Sequence, residues 1–139
     1  NMHRFHATGD CFVTSHRGEG WGRFIAEAML FAKPVITTSY GGINEYLNEK
    51  IAYPVKWKYE NIHGMNHVPW YESSQQWASI DEDMLRKTMR YVYDNQAEAK
   101  EIGRQGQKFI VENFNMLAIG AKMIDRLMAI KTDILDKQT

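Results

Sequence analysis

Two glutamates eight positions apart, Glu19 and Glu27, bracket a glycine-punctuated stretch, Gly18-Glu19-Gly20-Trp21-Gly22, and the helix-forming run RFIAEAMLFA that follows it. At about 1.5 Å of rise per residue, that spacing puts the two carboxylates on the order of 12 Å apart along a helix axis. Between them falls the helix N-terminus, whose free N–H groups and positive dipole end favour a phosphate. A carboxylate, an anion site and a second carboxylate in line suit an elongated ligand with hydroxyls at both ends and a diphosphate in the middle, the shape of a nucleotide-diphosphate sugar. Glycines let the backbone approach such a ligand closely, although a glycine-rich loop is also what a plain tight turn needs.

Glu27 carries a second demand. It is the one charge among the nine residues from Phe24 to Ala32, eight of which are apolar and surround the helix, so the helix is expected to be largely buried. A carboxylate there costs several kcal/mol (~2–7 for an unpaired polar group) unless it is paired or hydrogen-bonded. Its partner is either a neighbouring backbone amide or basic side chain such as Lys33, or a ligand's hydroxyl pair, which two carboxylate oxygens accept well.

The elements that must hold these residues follow from pattern. Residues 11–15 (CFVTS) read as a buried strand, residues 23–32 as a helix stopped by Lys33-Pro34, residues 34–39 as a second apolar strand closed by Gly41-Gly42, residues 43–47 as a short helical turn and residues 51–56 as a third strand. Continuous apolar runs belong to strands covered on both faces, so the expected fold class is α/β, a Rossmann-like parallel sheet flanked by helices. Residues 57–79 hold three of the four tryptophans and read as a long irregular aromatic loop. Ser79, with Glu82 three residues on, fits a capping box opening a helix to about residue 94. Helices over residues 96–113 and 116–135 complete the chain, which reads as a single domain over residues 1–139 with a carboxy-terminal helix from residue 116.

Composition removes several classes. At 139 residues the chain has room for about one core. Seventeen basic and seventeen acidic residues balance, without the basic excess of a nucleic-acid binder. No stretch approaches the roughly 18 apolar residues of a membrane span. The single cysteine, Cys11, lies in an apolar run and reads as a small hydrophobe, so a cytoplasmic setting is expected. His63 and His67 stand at an i, i+4 spacing that could bind zinc on a helix, but Gly64 and Pro69 favour a loop, and no metal or other cofactor is expected. His16, at the end of the first strand beside the glycine loop, can serve the site or the scaffold. Trp70, Tyr71 and Trp77 can shape a sugar pocket, line a protein interface or pack over the sheet edge.

The ordered set Gly18-Glu19-Gly20-Trp21-Gly22, Ala26-Glu27-Ala28-Met29, Lys33-Pro34-Val35-Ile36 and Gly41-Gly42-Ile43-Asn44-Glu45-Tyr46-Leu47 resembles the carboxy-terminal, donor-binding half of retaining GT-B glycosyltransferases of family four, the glycosyl transferases group 1. The resemblance covers roughly residues 8–114. It implies transfer of a sugar, of hexosyltransferase type, from a nucleotide-diphosphate sugar to an acceptor hydroxyl with retention and without a metal. Glu19 resembles the catalytic-site glutamate that reads the donor sugar's hydroxyls, Glu27 the one that holds the ribose, and Gly20, Trp21, Gly22 and Arg23 the stretch around sugar and phosphate. Two departures stand out: Arg23-Phe24 replaces a small residue followed by proline, and Ala32 stands where a glycine normally ends the helix. The family's Arg and Lys pair for the diphosphate, and its amino-terminal acceptor domain, have no counterpart here. The chain is therefore expected to be a fragment or truncated form, inactive alone, and peripheral membrane association of the full enzyme is compatible with it. The alternatives are a nucleotide-sugar epimerase of GT-B fold and a non-catalytic nucleotide-binding or interaction module.

Overall fold

The structure, a computed structural model, describes residues 2–136. Helix α1 (Met2–Thr8) precedes strand β1 (Phe12–Thr14), helix α2 (Arg23–Leu30), strand β2 (Val35–Thr38), a 3-10 turn (Gly42–Glu45) and strand β3 (Tyr53–Val55). Strands β4 (Trp57–Asn61) and β5 (Gln76–Ile80) follow, and helices α3 (Glu82–Asp94), α4 (Gln96–Asn113) and α5 (Met116–Asp136) close the chain. β1, β2 and β3 form a parallel sheet in that order, with Val13 opposite Ile36 and Thr37 opposite Pro54. This is the expected α/β architecture.

All four residues of β2 are buried, which explains its unbroken apolar run. Alternation sends Val35 into a cluster with Ile25, Met29, Ile43 and Ile110, under α2 and α4, and Ile36 into a second with Val55, Val92 and Ala99, against α3 and α4. Helices thus cover both faces. α4 approaches through small residues: a Cβ at Gly103 would lie 2.3 Å from the Ala32 carbonyl oxygen, and one at Gly106 2.9 Å from that of Ile51. Periodicity alone reads Ile102, Phe109 and Ile110 as the inward face of α4, whereas Ala99, Gly103 and Gly106 are the buried residues beside Ile110.

Three expectations are corrected. Residues 57–79 are not an irregular loop throughout: β4 and β5 pair antiparallel, Trp57 opposite Ile80 and Asn61 opposite Gln76. Alternating Trp57, Tyr59 and Asn61 with Lys58 and Glu60 is a strand pattern with polar side chains on both faces, which an apolar-run search passes over. Ser79 lies inside β5, and the N-cap of α3 is Asp81, whose Oδ1 accepts from the Met84 amide at 2.9 Å. Asp81→Ala should therefore cost about 1 kcal/mol of stability in a thermal or urea melt, and Ser79→Ala should not reproduce a capping loss. Finally, α2 is not buried all round, because Phe24 and Leu30 are exposed. α5 forms as expected, yet Ile124, Leu127, Met128 and Ile134 on it are also exposed.

The departure at Ala32 has a structural consequence. Its φ is +53°, in the left-handed region, and its amide donates to the Met29 carbonyl at 2.8 Å to finish α2. A residue with a Cβ is strained there. Ala32→Gly is expected to raise stability by roughly 0.5–1 kcal/mol, set by relief of that strain against the extra chain entropy of glycine. A melting temperature that falls would show that no strain is stored at this position.

Candidate functional site

The carboxyl ends of all three parallel strands feed the loops of interest: β1 leads into residues 15–22, β2 into residues 39–42 and β3 into the β4–β5 hairpin. Ligands of open α/β sheets bind at this end.

The first two loops are locked together through backbone. The Gly42 amide donates to the Glu19 carbonyl at 3.1 Å. A Cβ at Gly41 would lie 2.3 Å from the Glu19 oxygen, and one at Gly42 2.0 Å from the Gly20 oxygen, so only glycine admits this approach. Gly41 also has φ +92°. The Tyr46 hydroxyl then donates to the Trp21 carbonyl at 2.9 Å, and burial, together with the Glu19 charge, pushes that phenol up to about 12. The Trp21 ring packs against Tyr46 and Phe114, at centroid distances of 5.9 and 5.4 Å, so it anchors the loop to the core edge.

The half-buried Glu19 accepts from the Gly20 amide at 3.0 Å through Oε1, which folds its carboxylate back over the loop. Gly22 starts α2 in the left-handed conformation (φ +76°) with no side-chain cap, and a Cβ there would strike Ile43 at 2.6 Å. The first-turn amides of α2 thus have no side-chain acceptor among the described residues. One turn on, the Glu27 side chain is 26% exposed. Its partner is a basic side chain, but Arg23 rather than Lys33: Arg23 Nε donates to Oε1 at 2.9 Å. Oε2 faces the buried His6, 3.7 Å from Nε2, and neither of these two atoms has a hydrogen bond among the described residues. The Arg23 hydrogen bond, aided by the charges of Arg23 and His6, holds the Glu27 carboxyl below its ordinary value against the opposing effect of desolvation. His6 stacks on Phe31, with centroids 5.6 Å apart. Nothing in the sequence pattern marks His6 as the residue behind Glu27, since α1 carries no capping or periodic signal.

Both ring nitrogens of His16 are engaged within the protein, Nε2 with the Tyr40 carbonyl at 3.0 Å and Nδ1 with the Thr37 hydroxyl at 3.4 Å. It braces β1 against the loop after β2. Arg17 has a role that its sequence position does not announce. Its guanidinium lies 4.2 Å from the centre of the Trp77 ring and 3.2 Å from Glu60, and its carbonyl accepts from the Ala78 amide, clamping the hairpin to the glycine loop. Hydrogen bonds from Ser79 and Arg17 lower the Glu60 pKa. His63 pairs with Glu60 at 3.4 Å, not with His67. Among the described residues no three His, Cys, Asp or Glu side chains gather as metal ligands. Burial pushes the Cys11 thiol up to about 11, the behaviour of an unreactive side chain. No described helix is long and apolar enough to cross a membrane.

The fold is similar to that of a solved structure, Anabaena Alr3699/HepE in complex with UDP and glucose, with a TM-score of 0.62 and 20% sequence identity over 91% of this chain. The match spans 29% of that protein's length. No curated protein sequence matches the chain significantly. Residues 1–59, which hold Glu19, Glu27 and both glycine loops, match the family model for glycosyl transferases group 1, and the α/β fold that carries them, a parallel sheet flanked by helices, matches a GT-B glycosyltransferase fold.

Proposed function

We propose that this chain is the donor-binding part of a glycosyltransferase that moves a sugar from a nucleotide-diphosphate sugar to an acceptor hydroxyl with retention at the anomeric carbon. The observation that carries the reading is the pair of interlocked glycine loops, which hold the Glu19 carboxylate and the uncapped start of α2 side by side. Glu19 takes the hydroxyls of the donor sugar. The backbone of Gly20, Trp21 and Gly22 passes around sugar and phosphate, and the α2 amides stabilise the charge that builds on the departing diphosphate, as preorganised dipoles do without reorganising. Glu27 takes the ribose hydroxyls.

Glu27 is closed by Arg23, whose Nε donates to its Oε1. That pair is an exposed i, i+4 contact worth about 0.3–0.5 kcal/mol, so a ribose can displace it at little cost. Arg23 released in this way sits in the first turn of α2, where its charge reaches the phosphates. The solved structure similar in fold was crystallised with UDP and glucose, which together make up the two halves of such a donor. The acceptor site is completed by a separate domain, and the isolated chain turns over negligibly. No metal enters the reaction, and the setting is cytoplasmic.

Ligand-dependent melting tests the reading. UDP-sugars or GDP-sugars at millimolar concentration should raise the melting temperature of the 139-residue chain, and the parent nucleoside monophosphates should do so less. An unchanged melting temperature with every nucleotide sugar would remove the proposal.

A further inference from the structure

The β4–β5 hairpin presents two chemically different faces. On one, Arg17, Glu60, His63 and Trp77 form the charged clamp that fastens the hairpin to the glycine loop. Strand alternation puts Trp57, Tyr59 and Asn61 of β4, with Gln76 of β5, on the other, and every one of those side chains is uncharged. Tyr40, which immediately precedes Gly41 of the locked loops, joins them: its ring lies 4.4 Å from that of Trp57 and 6.0 Å from that of Tyr59, and Trp57 and Tyr59 are 4.9 Å apart.

This surface is rigid where it is apolar and incomplete where it is polar. Trp57 Nε1 donates to the Ser39 carbonyl at 2.6 Å, which fixes the indole before any ligand arrives, while the Tyr59 ring remains exposed. Gln76 Nε2 donates to Asn61 Oδ1 at 3.0 Å, leaving Asn61 Nδ2 as a donor and Gln76 Oε1 as an acceptor with no protein partner among the described residues. A donor and an acceptor on one planar amide pair suit two vicinal hydroxyls. The adjacent aromatic faces suit the C–H groups of a pyranose ring. The absence of charge on this face disfavours phosphate or a uronic acid.

We infer that the Trp57–Tyr59–Asn61–Gln76 face of the hairpin is a carbohydrate subsite that takes a neutral pyranose ring, the sugar of the acceptor rather than that of the donor. Its role as an acceptor subsite rests on the proposed donor-binding function, but the sugar binding itself does not. Tyr40 immediately precedes Gly41, which packs on the Glu19 backbone, so this face adjoins the loop that carries Glu19.

Saturation-transfer NMR on the full chain, with methyl glucoside, methyl galactoside, methyl mannoside and maltotriose as probes, tests it. At least one probe should receive saturation at its ring C–H groups. Tyr59→Ala and Asn61→Ala should each weaken that binding about tenfold, a loss of roughly 1.4 kcal/mol. Both residues are exposed, so the melting temperature should not move; Lys58→Ala, on the charged face, should leave binding unchanged. A chain that binds none of the four probes, or one whose binding survives both substitutions, overturns the inference. So does a hairpin face occupied by self-association, seen as concentration-dependent line broadening that Tyr59→Ala relieves. Failure of the donor reading shows separately: UDP-sugars would then give no melting shift while the Tyr59-dependent saturation persisted. Competition tells the two sugars apart, because UDP should not displace an acceptor probe.

Discussion

Gly42→Ala is expected to lower the melting temperature by on the order of 10 °C and to abolish the response to nucleotide sugars. The added methyl would sit 2.0 Å from the Gly20 carbonyl oxygen, with the Gly20 carbonyl carbon at 3.0 Å and its Cα at 3.7 Å behind it. These are backbone atoms, which cannot swing aside as a flexible side chain would. Either the Gly42 to Glu19 hydrogen bond breaks or the two loops separate, and overpacking of this kind costs about 1–3 kcal/mol, sometimes more. For a chain of this length each kcal/mol corresponds to a few degrees of melting temperature (roughly 2–8 °C). Separation of the loops also unseats Glu19, so stability and ligand response should fail together. Gly18→Ala supplies the comparison in the same loop. Nothing lies within 4 Å of the Cβ it would add, and its stability should stay within about 0.5 kcal/mol of the parent. Circular dichroism melts of the two variants decide the matter: equal melting temperatures would mean that the loops are not in fact interlocked.

How far such a result can be anticipated from sequence depends on the residue. Gly41-Gly42 can be recognised as part of an ordered motif, but its reason, a close approach to Glu19 and Gly20 from more than twenty positions away, is a tertiary fact without local pattern. The parallel sheet and its flanking helices are legible because β2 is buried on both faces and so must be apolar throughout. α4 is legible in extent and, at Phe109 and Ile110, in orientation, but the rest of its packing face is made of Ala99, Gly103 and Gly106, residues that a hydrophobic period does not count. The hairpin escapes for the opposite reason: apart from Ala78 and Ile80 its strands carry polar or aromatic side chains on both faces, and its pairing is held by register and the Arg17 clamp rather than by a continuous buried stripe. Ala32 shows sequence reasoning at its strongest, because a helix that must end left-handed without glycine predicts a strained φ, and φ +53° is what the chain adopts. Glu27 lies between these cases. Its need for a partner follows from the apolar residues around it, but the identity of that partner does not, because Arg23 and Lys33 are both within helical reach and only the geometry separates them.

The largest effect on ligand binding is expected at Glu27. Removing a charged hydrogen-bonding group costs about 1.5–3 kcal/mol, so Glu27→Ala should weaken nucleotide-sugar binding roughly 10- to 150-fold, enough to erase a melting shift at millimolar ligand. The same substitution also strips His6 and Arg23 of their common partner, and a loss of binding could follow from a disturbed helix alone. Arg23→Ala separates the two effects. It removes the same exposed ion pair while leaving the carboxylate in place, so it should cost well under 1 kcal/mol of stability and keep the response to a nucleoside. Its affinity for the diphosphate should nonetheless fall severalfold if the released guanidinium moves to the phosphates. If Glu27 serves only the scaffold, the two variants should behave alike toward every nucleotide. Acid titration supplies an independent check on the same carboxylate. Arg23 lowers the folded-state value of Glu27 beneath the ordinary 4.5, so the charged form, and the stability it contributes, is fully present above 4.5 and is lost only as the pH falls through the lower folded value. Two ribose hydroxyls donating to the carboxylate would favour its charged form further, so the bound state holds the proton less readily than the free state. Nucleotide-sugar binding measured by calorimetry should therefore hold down to pH 4.5 and weaken only as the pH falls through the lower folded value, and in Glu27→Gln, which cannot titrate, the weak residual binding should lose this dependence.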